Sequence, residues 1–219
     1  MALGTAPHTA TVLPELRFDA GRICLDLLAT THPVERLGTP APLRAWITGS
    51  GLVPPGTDLA HADHTWAAAF RELRGQVAYL VDAHLDGPPP RDPRDPRAPR
   101  DPRDPRAHGL ALALARVNDT ARAAPPAPRA VRGADGALVR VLAAPPERAA
   151  LLAAVARDAL DLLTDPAARA ALRRCAGDNC PLVYLDTSRG RRRRWCSSEV
   201  CGNRERVARH RRRAALART

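Results

Sequence analysis

The sequence is poor in several residue types that most chains of this size contain. It has no lysine, so all 34 of its basic residues are arginine. Aromatic residues make up 3% of the chain, so leucine, alanine and valine must fill most of any core. No apolar run approaches the ~18 residues of a membrane span, and no basic start followed by an apolar stretch marks a secretory signal. We therefore expect a cytoplasmic protein that does not enter a membrane.

Cysteine is also scarce, with five residues in the chain. Because no export signal is visible, we expect thiols or metal ligands rather than disulfides. Four of the five form the pattern C-x4-C-x15-C-x4-C, at Cys175, Cys180, Cys196 and Cys201. Two close pairs separated by a short stretch are the arrangement that one tetrahedral structural zinc ion needs.

Helical geometry limits where the last two cysteines can lie. At ~100° per residue, Cys196 and Cys201 would point about 140° apart on one helix. We therefore expect Cys196 at the end of a strand, and Cys201 in the first turn of a helix that Ser197 or Ser198 caps. The sequence thus predicts a knuckle, a hairpin and a helix around the zinc ion, an arrangement like a treble clef. A segment with so few apolar residues needs a metal in order to fold.

Positive charge is concentrated at the C-terminal end of the chain. Residues 173–219 contain 14 arginines against four acidic residues, and so carry +10 of the formal net charge of +11. A nearly neutral body with a basic end indicates a polyanionic partner. Guanidinium groups match phosphate oxygens, so we expect contacts to nucleic acid. The predicted contact residues are Arg191, Arg192, Arg193, Arg194, Asn203, Arg204, Arg206, Arg209, Arg211, Arg212 and Arg213.

The predicted nucleic-acid partner is duplex DNA. Few aromatic side chains lie near these arginines in the sequence, which favours a duplex over a single strand. Asn203 and one or two of the helix arginines are expected to read base edges. If about six to eight phosphates are neutralised, log K falls with log salt at a slope near −5 to −7. A solvated charge run, or an acidic protein partner, is the alternative interpretation of the same residues.

The rest of the chain predicts an α+β fold that is mainly helical. Residues 1–14 are predicted to be disordered, and residues 15–172 to form a first domain ahead of a zinc finger at 173–219. Near-perfect Arg-Asp-Pro repeats predict a disordered loop over 88–107, because proline removes backbone donors. Helices are predicted at about 59–85, 110–123, 146–163 and 166–174. A small β-hairpin is predicted with strands at 130–132 and 137–142 and a turn at 133–136.

Three short motifs around the cysteines are shared with a known family. LDTSR at 185–189, RRWCS at 193–197 and CGNR at 201–204 occur in that order. On these motifs the segment 173–213 resembles the CGNR zinc finger. FDAGRICLDLLAT is similar to the opening motif of the domain that usually precedes this finger, although many members have asparagine where this chain has Ala29.

The resemblance implies a bacterial transcription regulator associated with stress. It implies zinc on Cys175, Cys180, Cys196 and Cys201, nucleic-acid binding by the finger, and a sensor-like N-terminal domain that binds a small-molecule effector. Because Ala29 replaces the asparagine, we expect a polar ligand contact at that position to be lost. We further expect a location at the nucleoid. Because regulators often bind paired half-sites, the 59–85 helix is a candidate for the surface of a homodimer; alternatively, its apolar stripe is used entirely in the protein's own core.

Two other functions fit the same sequence. An RNA-binding protein would use the same basic surface. An enzyme would have its site in the N-terminal domain, where Asp19, Asp26 and His32 are close enough in sequence to be considered as acid–base groups. However, the sequence contains no nucleophile elbow, phosphate loop or metal–water motif, and zinc with four thiolates has no open position for water. We therefore predict that the protein is not an enzyme.

Overall fold

The computed structural model describes residues 16–87 and 104–216. Its helices are α1 (Ile23–Leu28), α2 (Pro40–Gly49), α3 (His64–Asp86), α4 (Pro105–Ala121), α5 (Arg148–Thr164), α6 (Pro166–Arg169) and α7 (Asn203–Leu216). Two antiparallel strand pairs join β1 (Pro128–Arg132) to β2 (Leu138–Leu142) and β3 (Leu172–Arg174) to β4 (Val183–Leu185). The predicted α+β fold, mainly helical with a small hairpin, is confirmed. The N-terminal residues 1–14 lie outside the described residues.

Helix α3 is the centre of the helical core. Asp63 caps its N-terminus by accepting hydrogen bonds from the backbone N–H groups of Thr65 (2.9 Å) and Trp66 (3.2 Å). This cap explains why the helix begins at His64 rather than near Leu59. Apolar residues recur along the sequence of α3 at helical spacing, and this stripe is buried at Trp66, Phe70, Leu73, Val77 and Leu80. Because α3 packs against α1, α2, α4 and α5, the stripe faces the protein's own core.

Helix α4 begins earlier than the sequence predicts. The predicted Arg-Asp-Pro loop extends to residue 107, but the helix starts at Pro105. Asp104 caps this start, since its carboxylate accepts a hydrogen bond from the Arg106 N–H at 2.9 Å. Proline is favoured at the first position of a helix, where its missing N–H costs nothing. The loop prediction is therefore wrong for 105–107, and its remaining part, 88–103, lies outside the described residues.

The predicted hairpin forms β1 and β2. The strands pair antiparallel, with Arg132 opposite Leu138. Two hydrogen bonds close the turn, from Gly133 N to Ala137 O at 2.8 Å and from Gly136 N to Gly133 O at 3.0 Å. Gly136 has a φ of +79°, a conformation that favours glycine. Most of the hairpin is exposed, so it lies at the surface of the helical domain.

The segment after α5 is not the single helix that the sequence predicts at 166–174. Helix α6 ends at Arg169, and β3 then pairs with β4 so that Arg173 lies opposite Tyr184. The pairing continues beyond the strands, where Cys175 N donates to Leu182 O at 2.9 Å. Alanine and arginine favour a helix locally, but pairing with a strand that returns from further along the chain overrides that weak preference. The helix prediction is therefore wrong for 170–174.

The strand pair β3–β4 packs directly on the helical domain. Leu185 N on β4 donates to Ala20 O at 2.8 Å. A Cβ at Gly21 would lie 3.2 Å from the Leu185 Cβ, and Gly21 has a φ of +89°. Glycine is thus favoured here both by the backbone conformation and by the close approach of β4. The predicted start of the finger, residue 173, falls inside β3, so the finger begins in a strand that is packed against the helices.

The longest helix described, α3, has 23 residues and carries charged side chains along its length, including Arg71, Glu72 and Asp82. Within residues 16–87 and 104–216, no helix combines the length and the apolar character that crossing a bilayer requires.

Candidate metal centre

The four cysteine sulfurs of the C-x4-C-x15-C-x4-C pattern converge on one point. Cys175 follows β3, Cys180 lies in the turn before β4, and Cys196 and Cys201 lie close to the start of α7. All four Sγ atoms are within 4.8 Å of one another. Two of these distances are 3.6 Å, between Cys196 and Cys201, and 3.7 Å, between Cys180 and Cys196. The fold therefore brings together the four residues that the spacing singled out.

This spacing fits a tetrahedral zinc ion. With Zn–S bonds of ~2.3 Å, sulfurs at the corners of a tetrahedron lie about 3.8 Å apart, close to the observed distances. A disulfide would place two sulfurs ~2.05 Å apart, and all four cysteines are free thiols. A donor set of four thiolates is also typical of structural zinc sites rather than catalytic ones. The predicted cofactor, one structural zinc ion held by these four cysteines, is confirmed.

A tight backbone turn presents the first two ligands. Cys180 N donates to Gly177 O at 3.1 Å, and Gly177 N donates to the Cys175 sulfur at 3.4 Å. A Cβ at Gly177 would lie 3.3 Å from the Cys201 Cβ, which is closer than side chains normally pack. Asn179 has a φ of +59°, a left-handed conformation that asparagine tolerates better than most residues. Gly177 and Asn179 thus let the turn from Cys175 to Cys180, called the knuckle below, close around the ion.

A capped turn presents the last ligand. Ser197 Oγ accepts a hydrogen bond from Val200 N at 3.2 Å, so Ser197 is the cap that the sequence predicts at 197 or 198. Residues 198–202 form a π-helical turn, in which Gly202 N donates to Ser197 O at 3.0 Å. Cys201 lies in this turn, immediately before α7. The Cys201 sulfur therefore points at the other three cysteine sulfurs from this wider π turn, and not from the first turn of an α-helix.

Thiols at the metal-free site differ in how readily they ionise. Burial opposes ionisation of Cys175, but hydrogen bonds from the backbone N–H groups of Cys196 and Gly177 and from the neighbouring thiols of Cys196 and Cys180 together lower the pKa of its thiol. Burial raises the pKa of Cys180 to about 11. Burial and the neighbouring thiol of Cys196 also raise the pKa of Cys201. Because zinc binds thiolates, its binding must release protons from Cys180 and Cys201.

Arg17 reaches the zinc site from the beginning of the described chain. Its Nη1 donates to Cys196 Sγ at 3.4 Å, and its Nη2 lies 2.6 Å from a carboxylate oxygen of Asp19. The Arg17 side chain is only 17% exposed, so solvent screens the contact weakly. A cation that donates to a ligand sulfur stabilises the thiolate and orients it. Sequence reasoning missed Arg17, because 179 positions separate it from Cys196 and no spacing pattern links them.

The residues between β4 and the third cysteine do not form the second arm of a hairpin, as the sequence predicts. They form a loop around Asp186, whose carboxylate accepts hydrogen bonds from Ser188 Oγ (2.6 Å), Ser188 N (3.0 Å) and Arg193 N (3.0 Å). The Ser188 hydroxyl lowers the pKa of Asp186 and keeps it ionised. Ala176 N donates to Arg194 O at 2.8 Å and ties the loop to the knuckle. The Asp186 carboxylate thus accepts hydrogen bonds from N–H groups of this loop. In a hairpin, those N–H groups would pair with the neighbouring strand instead.

Arg193, one of the predicted nucleic-acid contacts, is engaged inside the finger. Its guanidinium lies 4.7 Å from the centre of the Tyr184 ring and donates to the carbonyl oxygens of Trp195 (2.8 Å) and Cys196. The Tyr184 hydroxyl donates to Arg193 O at 2.5 Å. The side chain is half-buried, and its donors point at the backbone next to the third zinc ligand. Arg193 therefore stabilises the loop that positions Cys196.

The other predicted contacts lie on the outside of the finger. The exposed residues, called the arginine surface below, are Arg191, Arg192, Arg194, Asn203, Arg204, Arg206, Arg209, Arg211, Arg212 and Arg213. Some of them also touch the protein: Arg206 donates to the carbonyl oxygens of Gly202 and Ser198 at 3.3 Å, and Arg212 lies 3.8 Å from an Asp178 oxygen. Long exposed guanidinium groups on one small module can bind several phosphates at once.

Helix α7 is docked on the finger by one face. Glu205 and Ala208 are half-buried, whereas the residues beside them are exposed. Glu205 Oε1 accepts a hydrogen bond from the backbone N–H of Asp178 in the knuckle at 3.1 Å. Arg212 lies on the same face, 3.9 Å from Glu205 Oε2. The opposite face of α7 is consequently turned away from the finger.

The three N-terminal residues considered as acid–base groups take part in local structure. Asp26 is buried and accepts a hydrogen bond from Ala20 N at 3.0 Å. Burial raises its pKa to about 6. Asp19 forms the ion pair with Arg17, and burial together with the charge of Arg204 lowers the pKa of His32.

Comparison with known families assigns both parts of the chain. The family described as putative stress-induced transcription regulator (ABATE) matches residues 21–166, and the CGNR zinc finger matches residues 171–214. A comparison with curated proteins finds no match. The first match spans the helical domain and about two-thirds of the chain, and the second contains all four zinc ligands. The chain therefore belongs to the family of putative stress-induced transcription regulators and carries a CGNR zinc finger.

Proposed function

We propose that the protein regulates transcription by binding duplex DNA through the arginine surface of its zinc finger. The observation that supports this proposal is the exposure of the arginines on a module that a single zinc ion shapes. The segment 173–219 carries +10 of the net charge of +11, whereas the helical domain is almost neutral. Such a field attracts a polyanion to one end of the molecule.

Zinc binding connects the two parts of the arginine surface. Arg191, Arg192 and Arg194 lie in the loop before Cys196, and the remaining residues lie on α7, which follows Cys201. Because the two cysteines bind the same ion, the loop and the helix are held in one arrangement. Each phosphate contact releases condensed counterions, so the affinity for DNA is expected to fall steeply as salt concentration rises.

The aromatic side chains of the finger favour a duplex as the partner. Proteins that bind single strands stack bases on exposed aromatic rings. Tyr184 is fully buried, and its ring is covered by the Arg193 guanidinium. Trp195 is half-buried, with Arg194 5.4 Å from its ring centre. Tyr184 therefore offers no ring face for stacking, and Trp195 is only partly accessible, so contacts to the phosphate backbone are expected to dominate.

Regulation in this proposal depends on the contact between the finger and the helical domain. Arg174 on β3 forms ion pairs with Asp82 (2.7 Å) and Asp86 (2.8 Å) of α3. Leu185 on β4 hydrogen-bonds to Ala20, at the start of the helical domain. A shift of α1 or α3 would therefore move the strand that carries the first zinc ligand. An effector that binds the helical domain could change DNA binding by this route, with zinc in a purely structural role.

The helical domain has an open cleft that could take such an effector. It has a volume of about 460 Å³ and lies between the loop that contains Pro54, Thr57 and Asp58 and the connection from β2 to α5. His61 lines it, and its Nε2 donates a hydrogen bond to Pro146 O, 3.0 Å away. Its volume is within the range of small-molecule sites. Binding of an effector in this cleft and assembly as a homodimer on paired half-sites are both parts of the proposal.

Fluorescence anisotropy with labelled duplex DNA tests the proposal directly. The zinc-loaded full chain is compared with the double variant R204Q/R209Q, which removes two exposed charges from α7. A matched control is R129Q/R140Q, which removes two exposed charges from the hairpin β1–β2. We expect the first variant to weaken binding and to reduce the salt slope by about 2, and the control to bind like the unmodified protein.

Competition between duplex DNA and structured RNA for the protein distinguishes a DNA-binding function from an RNA-binding one. A-form RNA presents a deep, narrow major groove, so a surface that fits B-form DNA should bind RNA less well. Preferential binding of RNA would overturn the proposal in favour of an RNA-binding protein. Equal weakening by R204Q/R209Q and R129Q/R140Q would show that net charge, and not the arginine surface, determines binding.

A further inference from the structure

The outward face of α7 is not a uniform arginine surface. Residues 203, 206, 207 and 210 are spaced i, i+3, i+4 and i+7, so they share one face of the helix. This ridge consists of Asn203, Arg206, Val207 and His210, all exposed. It lies opposite the face at Glu205 and Ala208 that docks on the finger. An asparagine, a valine and a histidine thus occupy the most outward positions of a helix that is otherwise rich in arginine.

Two pairs of arginines flank this ridge. Arg204 and Arg211 are spaced i, i+7 on one side of it, and Arg209 and Arg213 are spaced i, i+4 on the other. The flanks carry the charge that phosphates attract, while Asn203 and Val207 carry none. An α-helix with side chains is ~10–12 Å wide, which matches the ~12 Å width of the major groove. A helix that enters the groove would place its flanks near the two phosphate backbones and its ridge against the bases.

Val207 is difficult to explain by folding alone. It is 50% exposed, whereas the half-buried residues of α7 between 203 and 213 are Glu205 and Ala208. The two methyl groups of Val207 lie among guanidinium groups but carry no charge and no hydrogen-bond donor, so they are poorly suited to binding phosphate. The major groove offers an apolar group of the matching kind, the C5 methyl of thymine, which small apolar side chains contact in sequence-specific complexes. Asn203 has the amide that pairs with adenine N6 and N7.

We infer that the ridge reads base sequence in the major groove, with Val207 against a thymine methyl and Asn203 on an adenine. This inference rests on the proposed function, since it requires that α7 bind duplex DNA. Arg206 is held at the start of the ridge by its hydrogen bonds to Gly202 O and Ser198 O. The arginine flanks supply affinity that is independent of sequence, and the ridge supplies the preference for one sequence over another.

Selection from a pool of random duplexes, followed by replacement of single thymines with deoxyuridine, tests this inference. The zinc-loaded full chain first selects its preferred duplex. Deoxyuridine differs from thymidine only by the C5 methyl, so replacing the contacted thymine should weaken binding about fourfold. The V207A variant should bind the thymine duplex more weakly and should lose most of this discrimination. Its salt slope should not change, because no charge is removed.

Two further variants provide the controls. V139A shortens a valine of similar exposure, 46%, on the hairpin β1–β2, and should discriminate thymine from deoxyuridine as the unmodified protein does. R213Q should weaken binding to every duplex and lower the salt slope by about 1, with the selected sequence unchanged. Bound zinc and circular dichroism are measured for each variant to verify the fold.

The outcomes separate this inference from the proposed function. If the chain binds duplexes without sequence preference, or if V207A discriminates deoxyuridine as strongly as the unmodified protein, the ridge does not read bases, although DNA binding by the arginines stands. If the chain binds no duplex, the proposed function and the inference both fail. Loss of the thymine–deoxyuridine discrimination in V207A, and loss of the adenine preference in N203A, support the inference when both preferences persist in V139A and R213Q.

Discussion

Arg17 and Cys196 are 179 positions apart in the sequence, yet the Arg17 guanidinium donates to the Cys196 sulfur at 3.4 Å. The contact joins the first described residues of the chain to a zinc ligand. Together with the packing of β4 on Ala20, it makes the zinc finger continuous with the helical domain. The zinc site therefore depends on residues outside the segment that carries its ligands.

Replacing Arg17 should weaken zinc binding. R17Q removes the charge that stabilises the Cys196 thiolate, and partners of this kind typically change metal affinity about 10- to 100-fold. Competition with a chelator of known affinity measures the effect. R129Q on the exposed hairpin serves as the control, and should bind zinc like the unmodified protein. An R17Q affinity equal to that of R129Q would show that the guanidinium does not act on the thiolate.

Zinc binding should release protons and should strengthen as pH rises. The pKa of the Cys180 thiol is raised to about 11, and that of Cys201 is also raised, so both are protonated in the metal-free protein at neutral pH. Zinc must displace these protons, so we expect the release of at least about two per ion. Calorimetry in buffers of different ionisation enthalpy counts them. Zinc binding without proton release between pH 6 and 8 would contradict the thiolate site.

Asp26 should lower the stability of the protein at neutral pH. Burial raises its pKa to about 6, above the ~3.9 of an unfolded aspartate, so the folded state binds the proton more tightly. Its favourable contribution is thus complete below pH ~4 and is lost as pH rises through about 6. D26N, whose amide oxygen can still accept from Ala20 N, should raise the free energy of unfolding by about 1–3 kcal/mol at pH 8.

Urea unfolding of zinc-loaded D26N and of the unmodified protein over a range of pH checks this prediction. The difference between the two curves isolates Asp26, because loss of zinc at low pH affects both proteins. It should shrink as pH falls from 7 towards 4. A difference that stays constant over this range would mean that the carboxyl group is not perturbed by burial.

Arg193 and Arg192 should behave differently although they are adjacent. R193Q removes the stacking on Tyr184 and two hydrogen bonds to backbone carbonyls, so it should lower the free energy of unfolding by about 1–3 kcal/mol. R192Q should change stability by less than about 0.5 kcal/mol, because its side chain is exposed. Denaturant unfolding of both zinc-loaded variants tests the difference. Equal stability would contradict the structural role of Arg193.

The elements that the sequence predicted well are those with local signals. The stripe from Trp66 to Leu80 repeats at helical spacing, and the glycines at 133 and 136 mark the turn of the hairpin. The zinc site was predictable because four cysteines in two close pairs have few other uses in such a chain. Ser197 was predictable as a cap because its position follows from where Cys201 must lie.

The elements that were predicted wrongly depend on contacts with distant residues. β3 forms only because β4 returns beside it, and local preference in 166–174 contains no information about that partner. Arg193 resembles its neighbours in sequence, but the position of the Tyr184 ring turns it inward. The start of α4 at Pro105 was missed because Asp104 is one of several aspartates in the Arg-Asp-Pro repeat, so the sequence did not single it out as a helix cap. Arg17 had no sequence signal at all.

The central claim is that zinc shapes an arginine surface that binds duplex DNA. Its most direct test is the affinity of the full chain for duplex DNA as zinc is removed by a chelator and then restored. We expect removal to weaken binding at least about tenfold at moderate salt, since the loop and α7 lose their fixed arrangement, and restored zinc to recover both affinity and salt slope. Equal affinity and equal slope with and without zinc would contradict the account.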